Sequence, residues 1–183
     1  LKPFANGIVS HPIQQGVIEL RNEHALKPDQ IESITARVHP LVVELMNRAE
    51  PQVGLEGKFS FQHCAAAALV DGAGHDAQFT DDKVRDPIIA AVRSKVSATV
   101  DEEIMEDEVY LDVRLVDGTK LEKHVVHATG SPTNPMTDEA LEEKYRALAS
   151  EALPAQRVAD LLAAVWELDE TADAQVVTRL MRK

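Results

Sequence analysis

Apolar residues recur at helical spacing near the start of the chain. Ile13, Val17 and Leu20 share one face, which predicts a helix to about Ala25, with Ser10 as its cap and Pro12 in its first turn. Lys27-Pro28-Asp29 breaks that pattern. The period then falls towards two: Ile34, Ala36 and Val38 alternate with Ser33, Thr35 and Arg37, as in a half-buried strand. Residues 40–46 fit either period, and 51–57 read as a loop. A second helix is predicted over about 60–70, stopped by Gly72-Ala73-Gly74. Thr80 with Asp81 and Asp82 starts another helix. Asp86-Pro87 restarts it, with Ile88, Ile89 and Val92 on the buried face. Val96, Ala98 and Val100 alternate as a strand, and the acidic stretch 102–108 reads as a solvated loop.

The clearest local pattern lies at 109–126. Val109, Leu111, Val113 and Leu115 fall on one face opposite Tyr110, Asp112 and Arg114. Asp117-Gly118 supplies a turn suited to positive φ, and the chain returns antiparallel. Gly130-Ser131-Pro132-Thr133-Asn134-Pro135 is strong punctuation. Beyond it the pattern is helical throughout. Thr137 caps a helix carrying Leu141, Tyr145 and Leu148. Pro154 opens a second with Val158, Leu161, Leu162 and Val165, and a third is predicted over about 172–181. The chain is therefore predicted to be α+β: a small mixed or antiparallel sheet with flanking helices over 1–134, followed by a helical segment over 135–183.

Composition narrows the function classes. Aromatic residues make up 4% of the chain, so aliphatic and alanine packing must carry the core. The net charge of −12, from 31 acidic and 19 basic residues, argues against a nucleic-acid surface. A few local cations could still hold a small anion. Cys64 is the only cysteine, which excludes an intramolecular disulfide, a cysteine-based zinc site and a cysteine-ligated iron–sulfur cluster. No apolar run approaches the roughly 18 residues of a membrane span, and no signal peptide is visible, so a cytoplasmic protein is expected. The chain opens at Leu1 without an initiator methionine, which points to processing or truncation.

The stretch KFSFQHCAAAALVDG, from Lys58 to Gly72, carries the chemistry. Polar groups stand at a helix start and small residues follow, an arrangement suited to anion recognition. It resembles a motif of the MmgE/PrpD family, which includes 2-methylcitrate dehydratases, cis-aconitate decarboxylases and iminodisuccinate epimerases. The resemblance begins at Lys2-Pro3-Phe4 and His11-Pro12 and is strongest over 54–72. It continues through Gln78-Phe79-Thr80-Asp81, Asp86-Pro87 and Lys95-Val96, then Gly130-Ser131-Pro132, Asn134-Pro135 and Glu143-Lys144-Tyr145-Arg146.

The resemblance implies that this chain is the C-terminal part of a longer enzyme. Residues 1–134 would be a lid domain, and 135–183 would return to an N-terminal helical domain absent from the chain. The active site of such proteins lies between helical domain and lid, so the chain alone should hold half a site and show no turnover. The parent would be a cofactor-independent lyase or isomerase. It would abstract a proton beside a carboxylate of a di- or tricarboxylic acid, and 2-methylcitrate-type dehydration is the family default. Family members are generally homodimers.

Five residues are carried over as site candidates. Lys2, Lys58 and Ser60 would anchor substrate carboxylates; His11 and His63 would transfer protons. No metal ligand set is expected. His63 stands where relatives often carry tyrosine. Gly7 stands where decarboxylase-like members carry a catalytic histidine, five residues after the lysine, which counts against decarboxylase or methylcitrate chemistry by that residue and, with His63, keeps an epimerase or isomerase close. Each candidate also has a plain alternative: a solvated terminal lysine at 2, a packed histidine at 11, a Lys58–Glu56 surface pair, and a buried histidine bonded to a carbonyl at 63. A non-catalytic carboxylate-binding or dimerisation module is the competing class, with the apolar face of the 109–126 hairpin as its interface.

Overall fold

The computed structural model describes residues 1–182. Contacts divide them into a unit over Leu1–Pro135 and a second unit from Met136 onward. In the first, α1 (His11–His24) leads to β1 (Ile31–Val38), α2 (Pro40–Met46), a single-turn α3 (Gly54–Gly57) and α4 (Phe61–Asp71). Then come α5 (Asp81–Arg85), α6 (Pro87–Arg93), β2 (Val96–Val100) and the hairpin β3 (Val109–Leu115) and β4 (Lys120–Val125). The strands form one mixed sheet in the order β2-β1-β3-β4. β2 runs parallel to β1, and the other neighbours are antiparallel.

The α+β class is as the pattern predicts, and several local expectations are refined. Residues 40–46, ambiguous in period, are helical because His39 accepts a hydrogen bond from Leu41 N and Pro40 sits in the first turn. Part of the predicted 51–57 loop closes into α3. Ser10 does not cap α1 with its side chain. Its hydroxyl donates to Gly7 O at 2.8 Å, and a 3-10 turn over Ile8–Ser10 leads into the helix. The caps expected from Thr80, Asp86 and Thr137 are present. The acidic stretch 102–108 is not wholly solvated, because Ile104 is buried beneath it and Glu108 bonds His124.

The sheet buries one face. Ile34, Ala36, Val38, Val109, Leu111 and Val113 are almost inaccessible, covered by α1 and α4. The hairpin's apolar face is thereby consumed in the core and offers no dimer interface. α4 shows why its sequence is alanine-rich: Cys64 and Ala65 to Ala68 are all fully buried, so a wide side chain would push α1 or the sheet away. α4 ends at Gly72, whose φ of +70° suits glycine, and Arg21 Nε of α1 donates to Leu69 O at 2.9 Å, satisfying a C-terminal carbonyl.

The second unit contains α7 (Asp138–Ala149), α8 (Ala155–Trp166) and α9 (Gln175–Leu180). Val158 and Leu161 are its buried residues, and Tyr145 donates from its hydroxyl to Val158 O at 3.0 Å. Leu148 and Val165 of the predicted apolar faces are exposed at 42% and 46%, so these helices cover their apolar stripes only in part. Among the described residues no helix is long and apolar enough to cross a membrane.

Candidate active site

The opening segment is stitched to the chain on both sides of α4. Ala5 N donates to Gly74 O at 2.9 Å and Gly7 N to Lys58 O at 3.2 Å. Asn6, buried, donates from Nδ2 to Gln14 Oε1 of α1 at 2.8 Å and to Cys64 Sγ of α4 at 2.7 Å. The two helix starts that carry His11 and Ser60 are thus held together by one amide. Gly7 packs on Met46 so closely that a Cβ there would stand 2.2 Å from Met46 Sδ.

His11 is the first residue of α1 and is 1% exposed, edge-on to Phe4 with ring centroids 5.3 Å apart. It borders a cavity of about 480 Å³ whose wall also includes Val9, His39 and Ile104. Carboxylates from the 102–107 loop form the far side of this cavity, which makes that side unfavourable for an anion. Lys2 is exposed.

At α4 the cap is Ser60, whose hydroxyl accepts from His63 N at 3.1 Å and bonds Gln62 Oε1 at 3.3 Å. Gln62 in turn donates to Asn47 Oδ1 at 2.7 Å. With its oxygen engaged and no exposed surface, Ser60 serves the helix as an N-cap. His63 is also fully buried. Its Nε2 lies 2.9 Å from Gln78 O, so Nε2 carries the proton and donates. Burial lowers its pKa, and nearby Arg93 acts the same way against the opposing pull of the Gln78 carbonyl and Asp71, so the ring is neutral near pH 7. Nδ1 then faces the interior as an acceptor with no hydrogen-bond donor.

Lys58 pairs with Asp76, not with Glu56. Asp76 opens the short turn Asp76–Phe79, which also carries Gln78, and Gln78 Nε2 donates to Asp71 at 3.2 Å while Lys83 pairs with Asp71 at 2.7 Å. The turn therefore links the Lys58 ammonium to the His63 ring. Cys64 is inert: burial pushes its thiol up to about 11 despite the bonds from Asn6 and Ser10. Among the described residues no group of three or more histidine, cysteine or carboxylate side chains is placed to hold a metal.

Of the five sequence candidates, Lys58, Ser60 and His63 are linked through α4 and the Asp76–Phe79 turn, and only His11 borders the cavity. Sequence reasoning missed Asn6, Asp76 and Gln78. Gln78 lies within a matched motif, but nothing in period or composition marks the other two.

A four-stranded mixed sheet backed by α1 and α4, with polar residues at the starts of both helices, frames the candidate site. The MmgE/PrpD C-terminal domain profile matches residues 4–168, and the chain belongs to that family. It is 30% identical over 191 residues to a cis-aconitate decarboxylase of Mus musculus and 29% identical over 190 residues to that of Homo sapiens. Each alignment covers 99% of this chain and 39% of the relative, so the chain spans well under half the length of these relatives.

Proposed function

We propose that this chain is the lid portion of a cofactor-independent enzyme that removes a proton beside a carboxylate of a di- or tricarboxylic acid, and that the complete protein is a dehydratase-like lyase. The observation that supports this most is the family match across 4–168. Proton removal of this kind builds negative charge, so it calls for cationic anchors and a near-neutral base. Lys2 and Lys58 are the anchors in this reading. His11, bordering the cavity at a helix N-terminus, is the proton-transfer group of the lid. His63 and Ser60 act from the interior, where the neutral imidazole fixes the turn that carries the partner of Lys58. The helical domain supplies the rest of the site, and the protein works in the cytoplasm.

Gly7 counts against decarboxylase or methylcitrate chemistry through a histidine at that position. A histidine at that position would need the space that Met46 fills. Epimerisation of a succinate derivative is the second reading, because it begins with the same proton transfer.

The test is proton NMR in deuterated water with the parent-length protein and a panel of 2-methylcitrate, citrate, cis-aconitate and hydroxylated or aminated succinates. Deuterium uptake beside a carboxylate with a new alkene supports the dehydratase. Inverted stereochemistry moves the assignment to an epimerase, and loss of carbon dioxide to a decarboxylase. No exchange with any acid in a folded protein would leave a binding module as the better reading.

A further inference from the structure

We propose that a row of three stacked side chains on the outer face of the sheet is a pH-sensitive clamp on the acidic loop 101–108, which walls the cavity beside His11. Sheet register lines up Arg37 of β1, Tyr110 of β3 and His124 of β4, with Tyr110 on the middle strand. The Arg37 guanidinium lies 4.1 Å from the Tyr110 ring centroid, and the His124 ring stacks on Tyr110 with centroids 3.8 Å apart and planes 11° apart. The two ends of this row hold the two ends of the loop. Arg37 Nη1 donates to Asp101, the first loop residue, at 2.8 Å, and His124 Nε2 donates to Glu108, the last, at 2.7 Å. A second imidazole adds to the hold: His127 Nδ1 donates to Asp107 at 3.0 Å, and Ala128 N donates to Asp107 O at 2.9 Å.

The inner turns of the loop are built on the same two carboxylates. Glu103 N donates to Asp101 Oδ1 at 2.9 Å, and Ile104 N to Asp101 O at 3.3 Å. Met105 N donates to Glu108 Oε2 at 3.2 Å. Ile104 is buried and, with Met105, stands in the wall of the cavity across from Val9 and His11. Releasing Asp101 or Glu108 therefore frees the backbone that places this wall. The bearing of the clamp on catalysis rests on reading His11 as the proton-transfer group of the lid; the clamp itself does not.

The sign of the pH response follows from the groups around the two imidazoles. An imidazole donates its bond whether neutral or charged, and protonation adds attraction to the carboxylate. His124 faces Glu108 of the loop and the π face of Tyr110, with Asp112 and Glu122 next along β3 and β4 on the same sheet face, all favouring a cation. Arg37, beyond Tyr110, opposes it and is itself neutralised by Asp101. His127 faces Asp107. Burial works to raise the Glu108 carboxyl, but the His124 bond and the Met105 amide outweigh it and keep it below the usual carboxylate range. The Glu103 amide and Arg37 hold Asp101 low in the same way. Both loop ends thus stay anionic while imidazoles titrate, ordinarily near 6.5. The histidine pairs strengthen as pH falls through that range and relax to neutral hydrogen bonds as it rises, whereas Arg37 keeps its charge throughout. This is opposite in sign to buried His63, whose protonation works against the fold.

The experiment is amide hydrogen exchange of this chain by NMR between pH 5.5 and 8, corrected for the intrinsic exchange rate. The amides of Glu103, Ile104, Met105 and Ala128 report the loop, and those of Ala36 and Leu111 in the core report global unfolding, through which His63 acts. The loop amides should be better protected at pH 5.5 than at pH 8 by about threefold or more, the scale of two partly exposed ion pairs. His124→Gln with His127→Gln keeps donors in place but cannot titrate, and should make loop protection independent of pH. Arg37→Met should lower protection at Glu103 and Ile104 at every pH while leaving the pH slope. Loop protection flat with pH in the native chain, the same slope in the glutamine double variant, or loop and core amides changing in parallel would each overturn the clamp. Unchanged protection in Arg37→Met would remove its Asp101 end.

Discussion

His63 Nε2 lies 2.9 Å from the carbonyl of Gln78, with the ring fully buried, and this bond ties α4 to the turn that carries Asp76. The folded imidazole is harder to protonate than an unfolded one, chiefly because burial excludes water from the charge. The unfolded histidine, with a pKa near 6.5, therefore binds the proton more readily. Stability present above that pH is lost as pH falls from about 6.5 through the depressed folded value, at up to ~1.4 kcal/mol per pH unit. Urea midpoints at pH 7.5, 6.5 and 5.5 should fall more steeply for the native chain than for His63→Gln. Equal slopes would remove His63 from the acid response.

Gly7 and Met46 form a close contact, so a side chain at position 7 must displace the end of the Met46 side chain. Gly7→Ala should cost about 1–3 kcal/mol through forced movement of buried Met46. Gly118→Ala, at φ +87° with open space around it, should cost about 1–2 kcal/mol from backbone strain alone. Unfolding at 25 °C measures both. In the parent-length protein Gly7→His should not create decarboxylase activity; if it does, the steric argument at position 7 fails.

Cys64 is sealed between the two helix starts, with its thiol raised to about 11. Reaction with an aromatic disulfide reagent at pH 8 should be at least a hundredfold slower in the folded chain than in 6 M urea. Fast labelling without denaturant would show that the contact between α1 and α4 opens readily.

Lys58 holds Asp76 at the surface, where an ion pair contributes about 0–1 kcal/mol. Lys58→Met should leave the thermal midpoint of this chain within a few degrees of the native value. In the parent-length protein it should raise KM for the acid substrate at least tenfold. A large loss of stability with unchanged KM would reverse the assignment, making the lysine structural.

Much of the fold was legible in period alone. The switch from 3.6 to 2 at Ile31, the alternation over 109–115, and the caps at Thr80, Asp86 and Thr137 each express a local rule, and each element stands close to where the rule puts it. The mixed sheet order was not legible. β1 and β2 pair in parallel across a long intervening helical stretch, and alternation says which face of a strand is buried but not which strand lies beside it. The candidate site divides the same way. Residue types near the helix starts marked 11, 58, 60 and 63 as polar groups in informative places, and the family resemblance marked Lys2. That Ser60 spends its oxygen on a cap and Lys58 chooses Asp76 over Glu56 follows from long-range packing, which brings distant segments to the same helix start.

The sequence by itself determined most element types, the caps at Thr80, Asp86 and Thr137, and the family, because these depend on neighbours within a few positions or on motif order. Only the tertiary structure decided which of those residues keep an exposed surface. Burial strips His63 of its charge and seals Cys64, the core takes the hairpin face out of play, and the sheet order leaves β2 at an open edge. Each is a consequence of close packing between segments far apart in the chain, where desolvation and volume, rather than local preference, set the energy.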